Sequence, residues 1–381
     1  MLTALVNGRV LRDAGFATGL AVLIDGARIA AVVTESDARV RMAQTHDLQG
    51  RMLAPGFIDC QVNGGGGVLF NDTPDVDTVR RIAAAHRRFG TTGLLPTLIS
   101  DDRDVMRAAL RAVAAAIAQR VPGVLGIHLE GPFLSPQRKG IHDAAKFRSA
   151  DAADLDLLRA EDAGRILLTL APEQVPASTL QQLAARGVVV AAGHTAATYA
   201  QTRAALDAGM RGFTHLYNAM SPLQGREPGV VGAALEDPAS WCGVIVDGHH
   251  VHPGALRVAL AAKPRGKVFL VTDAMPPVGS AQATFQLNGE TITCRDGVCT
   301  NAAGTLAGSA LDMITAVRNC VEMLHVPLEE ALRMASAYPA AFLGLERSHG
   351  RIAPGYAADL VAITDDLSIA ATWCAGQIAT P

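Results

Sequence analysis

Eight apolar, strand-length runs, each followed by enough chain for a helix, constrain this sequence more than any other feature. They read GFIDCQV, TGLLPTLI, VLGIHLE, ILLTLAP, VVVAAGH, GFTHLY, CGVIVDG and KVFLVTDA, and alanine-rich stretches such as VRRIAAAHRRFG and VMRAALRAVAAAIAQR lie between them. Runs that are apolar throughout suit parallel strands covered on both faces. Eight of them with helical crossovers are what a (β/α)8, TIM-like barrel of the α/β class requires. The polar endings agree: Asp59, His128, Glu130, His194, His215, Asp247 and Asp273 stand at or just past the ends of runs, where barrels of this kind carry their chemistry.

The flanks read differently. Before residue 55, short apolar segments are punctuated by Asn7-Gly8 and Asp25-Gly26, both hairpin turns, and after about residue 346 the chain returns to β character in GRIAPGYAADLVAI and a last segment ending in GQIAT. Neither end has enough apolar surface alone, so the two are expected to pair into one small β-sandwich. The predicted division is residues 1–54 and 346–381 for the sandwich and 55–345 for the barrel. An inserted hairpin near 284–300 is expected from the Asn-Gly and Asp-Gly turns of TFQLNGETITCRDGVCTNAAG.

Composition excludes several function classes. With 49% hydrophobic and 18% charged residues and a net charge of -3, the chain carries no field for nucleic acid, and an anionic ligand must be gripped by a local cluster. No apolar run reaches the ~18 residues of a membrane helix. The opening MLTALVNGRVLRD has no cationic region ahead of an apolar one. A soluble, cytoplasmic protein is expected. The six cysteines, at 60, 242, 294, 299, 320 and 374, form no Cys-x-x-Cys pair, and reduced, mostly buried thiols are expected of them.

Glu130, His194 and His215 come from the third, fifth and sixth runs, so a barrel gathers them at one mouth. A single strand-end histidine is more often a hydrogen-bonded structural residue than a ligand. Two imidazoles and a carboxylate placed together form a common catalytic zinc shell with a position left for water, and the joint placement favours a metal. Asp273, ending LVTDAM, suits a proton acceptor beside such a water, although an Asp there also suits a cap. Arg226, in the Gly- and Pro-bounded PLQGREPG loop, offers a guanidinium fork for phosphate or carboxylate, a weak signal alone. His142 in KGIHD and His249, His250 and His252 in DGHHVH are further candidates for substrate contact or ligand support. The glycines 64–67 lack the Gly-Lys-Ser/Thr of a phosphate loop and are read as a turn that lets backbone approach closely.

PGFID, HLEGPF, GHT, FTHLYNAM, GREPG, DGHHV, LVTDA, GTLAGSAL and GRIAPGYAADLV, in that order and over nearly the whole chain, resemble the amidohydrolase superfamily. Within it they resemble the N-acetylglucosamine-6-phosphate deacetylase family. HLEGPF with THLYNAM is the specific pair; PGFID and GRIAPGYAADLV mark only the superfamily. The resemblance implies hydrolysis of a sugar acetamide in amino-sugar salvage by a homodimer. It assigns Glu130, His194 and His215 to the metal, Asp273 to acid/base catalysis and His142 to the acetamide. Asn218, Ala219, Arg226 and His250 would form the sugar-phosphate pocket, with Arg226 lent by either subunit, and Leu306, Ala307 and Gly308 a loop near the sugar. Most amidohydrolases have His-x-His where this chain has Gln61-Val62-Asn63, and neutral amides are poor zinc ligands. One divalent metal per chain, zinc, is therefore expected, with Gln61 and Asn63 hydrogen-bonding around the second position. An amidohydrolase acting on another N-acyl amine or cyclic amide, or a barrel that has lost catalysis and serves as a scaffold, are the alternatives.

Overall fold

The computed structural model describes residues 2–159 and 164–379. Eight parallel strands form one sheet in chain order: Phe57–Val62, Thr91–Ile99, Gly126–Glu130, Arg165–Leu170, Val189–Ala192, Gly212–Phe213, Trp241–Val244 and Val268–Leu270. Each of the eight apolar runs coincides with one of them, to within one residue at the strand's start. The sheet closes where the eighth strand returns to the first: the Asp273 amide donates to the Gln61 carbonyl at 3.0 Å, and Val62 bridges Ala274. Asp59 belongs to this seam. Its buried carboxylate accepts from the amides of Gln61 (3.2 Å) and Thr272 (3.3 Å) and from the Thr272 hydroxyl. Burial pushes its pKa up to about 7.

Helices cover the barrel for the reason the sequence pattern implies. In Val76–Arg87 the side chains of Val79, Ile82, Ala83 and His86 are buried, the spacing of one helical face, and the Asp75 side chain caps the start by accepting from the Thr78 amide at 2.8 Å. The glycine run lies against that helix. A Cβ on Gly65 would stand 2.8 Å from His86 Nε2 and one on Gly64 2.5 Å from the Val68 carbonyl, so side chains are excluded by close approach.

The terminal segments pair as expected. A six-stranded sheet runs Gln377–Ala379, Ile369–Cys374, Leu360–Ile363, Met52–Pro55, Arg9–Arg12, Gly15–Ala17, so Met52–Pro55 of the first part lies beside Leu360–Ile363 of the last. A four-stranded sheet of N-terminal strands packs against it over Leu5, Val22, Leu53, Leu360 and Trp373. Positions 380 and 381 of the expected last segment lie outside the described residues.

Two expectations change. The insert is larger than a hairpin: Thr284–Leu287, Glu290–Arg295, Val298–Thr300 and Leu306–Ser309 make a four-stranded meander, because the chain after the second turn pairs again before it enters the helix Met313–Leu324. The cysteines are not all free thiols. Cys294 and Cys299 face each other across the Asp296-Gly297 turn and form a disulfide, whereas Cys60, Cys242, Cys320 and Cys374 are free and buried.

Candidate active site

Strand pairing fixes the site before any side chain is considered. Ile99, Glu130 and Thr169 are consecutive neighbours across three strands, which sets Glu130 at the level of the barrel mouth. The chain turns sharply just beyond several strands. His194, His215 and Asp273 have φ of 48°, 30° and 54°, in the left-handed region that side-chain-bearing residues seldom occupy. Backbone strain of this kind concentrates at functional positions and is held by the surrounding structure.

Three of these side chains converge. Glu130 Oε1 lies 2.9 Å from His215 Nε2 and 3.2 Å from His194 Nε2, and the two imidazole nitrogens are 3.2 Å apart. They are the group among the described residues whose geometry would hold a metal ion. The proton positions test the fit. His194 Nδ1 is 2.9 Å from the Arg138 carbonyl, an acceptor only, so Nδ1 carries the hydrogen and a neutral ring turns a lone pair toward Glu130. A carboxylate oxygen and two imidazole nitrogens at these distances demand positive charge among them, supplied by protons or by one cation. The donor set of one carboxylate and two imidazoles is the set zinc takes.

Gln61 and Asn63 point at the carboxylates beside this cluster. Gln61 Nε2 donates to Glu130 Oε1 (3.2 Å) and to Asp273 Oδ1 (3.1 Å), and Asn63 Nδ2 donates to the same Asp273 oxygen at 2.6 Å. Burial raises the Asp273 pKa to about 6, with the Glu130 charge adding to it, against opposing pulls from His215, His250 and Asn63. A carboxylate held by two amide donors beside the cluster is placed to take and return a proton.

His142 is held as a hydrogen-bond donor. The Ser100 amide donates to its Nδ1 at 3.4 Å and the Ser100 hydroxyl lies 2.9 Å away, which leaves the hydrogen on Nε2, itself 4.0 Å from Glu130 Oε2. Burial pulls the His142 pKa down to about 3, so the ring is neutral. His250 is braced by Asp247, whose carboxylate accepts from His250 Nδ1 at 2.6 Å and from the amides of His249 and His250. Burial opposes ionisation of that carboxylate, but the His250 contacts bring it down to about 2.

Asn63, Glu130, His142, His194, His215, His250 and Asp273 line a cavity of about 560 Å³ that also takes in Asn218, Ala219, Leu306 and Gly308, whereas Gln61 and Asp247 support it from outside the lining. Not every expected residue reaches it. Arg226 is exposed on its loop and absent from the lining of its own chain's cavity. Ala307, alternating with its neighbours along a strand, turns away into a small apolar cluster. His252 caps the helix Pro253–Ala262. His128 sits below the mouth between Thr97 (3.1 Å) and Thr169 (2.8 Å), a buried ring whose pKa burial lowers to about 4.

Arg138, Lys139 and Gly140 line the cavity and were not singled out, although they adjoin His142 in one loop. Gly140, with φ of 55°, brings its backbone to the His194 ring, where a Cβ would stand 3.1 Å from Cε1. Ser100 was also missed. Its role depends on a contact 42 residues away in sequence, for which a serine at a strand end gives no signal.

A protein-family model described as "Amidohydrolase family" matches residues 52–379. The chain is 45% identical over 326 residues to N-acetylgalactosamine-6-phosphate deacetylase of Shewanella sp. (strain ANA-3), covering 86% of this chain and 82% of that protein. It is 34% identical to N-acetylglucosamine-6-phosphate deacetylase of Haemophilus influenzae, covering 99% of each. Among solved structures, N-acetylglucosamine-6-phosphate deacetylase from Pasteurella multocida superposes with a TM-score of 0.96 at 36% identity, covering 100% of both chains.

Proposed function

We infer that this chain, which belongs to the amidohydrolase family, hydrolyses the acetamide of an N-acetylhexosamine 6-phosphate, giving the amino-sugar phosphate and acetate. The observation that carries this reading is the convergence of Glu130, His194 and His215 beside Asp273, whose Oδ1 is held by two amide donors. A divalent ion bound by Glu130, His194 and His215 would supply Lewis acidity, polarising the scissile carbonyl and acidifying the attacking water.

The chain's own residues do the rest. Asp273 accepts the proton of the attacking water and returns it to the leaving nitrogen, which balances the reaction. Gln61 and Asn63 fix the orientation of the carboxylate that moves it. His142 Nε2–H is a neutral donor suited to the oxygen that becomes negative as the carbonyl carbon turns tetrahedral, a contribution worth about 3 to 4 kcal/mol at such positions. Asn218, Ala219 and His250 form the wall that takes the sugar phosphate. Asp247 accepts from His250 Nδ1 at 2.6 Å and fixes the ring in that wall.

The ion is zinc, which one carboxylate and two imidazoles suit, and one is held per chain, because where a second ion would need imidazole or carboxylate ligands Gln61 and Asn63 present only neutral amides, poor ligands for zinc. The protein works as a homodimer, with Arg226 reaching the partner's pocket; its absence from the lining of its own cavity supports this. The reaction belongs in the cytoplasm, where a phosphorylated sugar is retained by its charge. No helix among the described residues is long and apolar enough to cross a membrane.

The relatives act, by name, on both the gluco and the galacto epimer. The deciding experiment is acetate release from N-acetylglucosamine 6-phosphate and N-acetylgalactosamine 6-phosphate, before and after chelation. Release from neither substrate by metal-loaded protein would overturn the assignment.

A further inference from the structure

We propose that Cys294 and Cys299 are a reversible thiol–disulfide site whose oxidation state sets how firmly the insert holds one wall of the catalytic cavity. Two features make the pair reversible in principle. The two residues are direct partners across the Asp296-Gly297 turn, so the turn brings them together whether or not the sulfurs are bonded. Cys294 is half-buried and Cys299 fully buried, so Cys294 is the more accessible of the two for exchange and Cys299 the one placed to resolve it.

The connection to the cavity runs through packing. Cys299 belongs to a small apolar cluster, separate from the barrel core, that includes Leu287, Ile292, Ala307 and Met275, with Ile141 and Cys294 packed against it. Ile141 precedes His142, and Met275 lies two residues beyond Asp273. The insert is also bonded to both segments. Asn288 Nδ2 donates to the Ile141 carbonyl at 3.0 Å, the Ser309 amide donates to the Asp273 carbonyl at 2.9 Å, and the Met275 amide donates to the Ser309 carbonyl at 2.9 Å. The last insert strand, Leu306–Ser309, supplies Leu306 and Gly308 to the cavity lining. A bond across the middle of this meander therefore constrains the segments that carry His142 and Asp273.

The chemistry is two successive exchanges with a low-molecular-weight disulfide such as oxidised glutathione. The Cys294 thiolate attacks one sulfur, a mixed disulfide forms and one glutathione leaves as the thiol; the Cys299 thiolate then attacks the Cys294 sulfur and the second glutathione leaves. Two thiols are oxidised, one disulfide is reduced, and both protons pass to solvent or to the leaving thiolates. The four remaining cysteines do not compete: each is buried, and burial raises its thiol pKa, to about 12 for Cys242, Cys320 and Cys374 and well above the ordinary value for Cys60.

The test uses the metal-loaded protein at graded ratios of reduced to oxidised glutathione, quenched, alkylated and read by peptide mass. Hydrogen exchange over residues 136–146 and 284–309, and KM for the phosphorylated sugars, are measured in both states. The expected result is a single two-electron transition confined to 294 and 299. Exchange slows in both segments on oxidation, and KM changes by about threefold to tenfold, less than the ~10²-fold that a full 1 Å misplacement costs. The C294A/C299A double variant should lose the redox response and keep the activity of the reduced wild type. Failure of the pair to oxidise in excess oxidised glutathione overturns the proposal, and so does oxidation that leaves exchange in 136–146 unchanged. The mass and exchange readouts need no turnover, so they stand even if the sugar-phosphate reading fails.

Discussion

At the mouth of the barrel, Gln61, Asn63, Glu130, His142 and His215 are 1 to 4% exposed, and between the terminal sheets Leu53, Val22 and Trp373 are 0 to 2% exposed. Equal burial serves opposite ends. Between the sheets every buried side chain named is apolar, and burial is itself the stabilising term. At the mouth the buried groups are polar, the backbones of His194, His215 and Asp273 turn through left-handed φ, and each carboxylate or imidazole is costly unless its neighbours supply a partner. A region that stabilises by being apolar tolerates volume-conserving change. A region that binds by arranging charge tolerates almost none.

The contrast predicts that the two regions fail differently, and the largest effect is expected at the mouth. Asp273→Asn keeps the size of the side chain and removes the proton acceptor, so kcat should fall by roughly 10²- to 10⁴-fold. The melting temperature and metal content should stay near the wild-type values. Near-normal turnover would assign the proton transfer to another group.

The mirror experiment is Trp373→Ala between the sheets. It should cost about 3 to 5 kcal/mol of stability, read from denaturant unfolding. Per folded molecule, kcat should be unchanged; a parallel loss of kcat would show that the two regions are mechanically coupled.

Next in size is Arg226→Ala, which should cost about 2 to 4 kcal/mol in kcat/KM toward the phosphorylated sugar, the range for losing a charged partner. Unphosphorylated N-acetylhexosamine, which never used the contact, should lose little. Equal losses for both substrates would make Arg226 structural.

The smallest effect concerns a buried group between the two regimes. Burial holds the His86 pKa at about 4, below its ordinary 6.5, while its Nε2 lies 2.9 Å from the Gly64 carbonyl. The unfolded chain therefore takes up the proton first. The stabilisation is present above about pH 6.5 and is lost as pH falls toward 4. His86→Gln should flatten that acid loss by about 1 to 2 kcal/mol at pH 5, compared by thermal unfolding at pH 7 and 5. An unchanged acid slope would place the titration elsewhere.

Much of this was legible in the chain. The period of apolar runs fixed eight strands and their order, because a strand buried on both faces must be apolar throughout, and strand ends then had to face one mouth. Glu130, His194, His215 and Asp273 could be picked out for that reason. The turn signals Asn288-Gly289 and Asp296-Gly297 marked the insert, since left-handed φ at both central residues selects such pairs. Its third turn, near Gly304, lacked such a pair, and the fourth strand went unseen.

Other features were decided only by the tertiary structure. Nothing in the local sequence says that Asp59 stitches the barrel seam while Asp273 faces the cavity, that Ser100 and the Arg138 carbonyl set the protons of His142 and His194, or that Arg226 stays out of its own cavity. The pairing of Cys294 with Cys299 belongs with these. The physical reason is common to all of them: periodicity reports which face of an element is buried. Which polar group meets which across elements dozens of residues apart depends on register and distance, and those exist only once the barrel has closed.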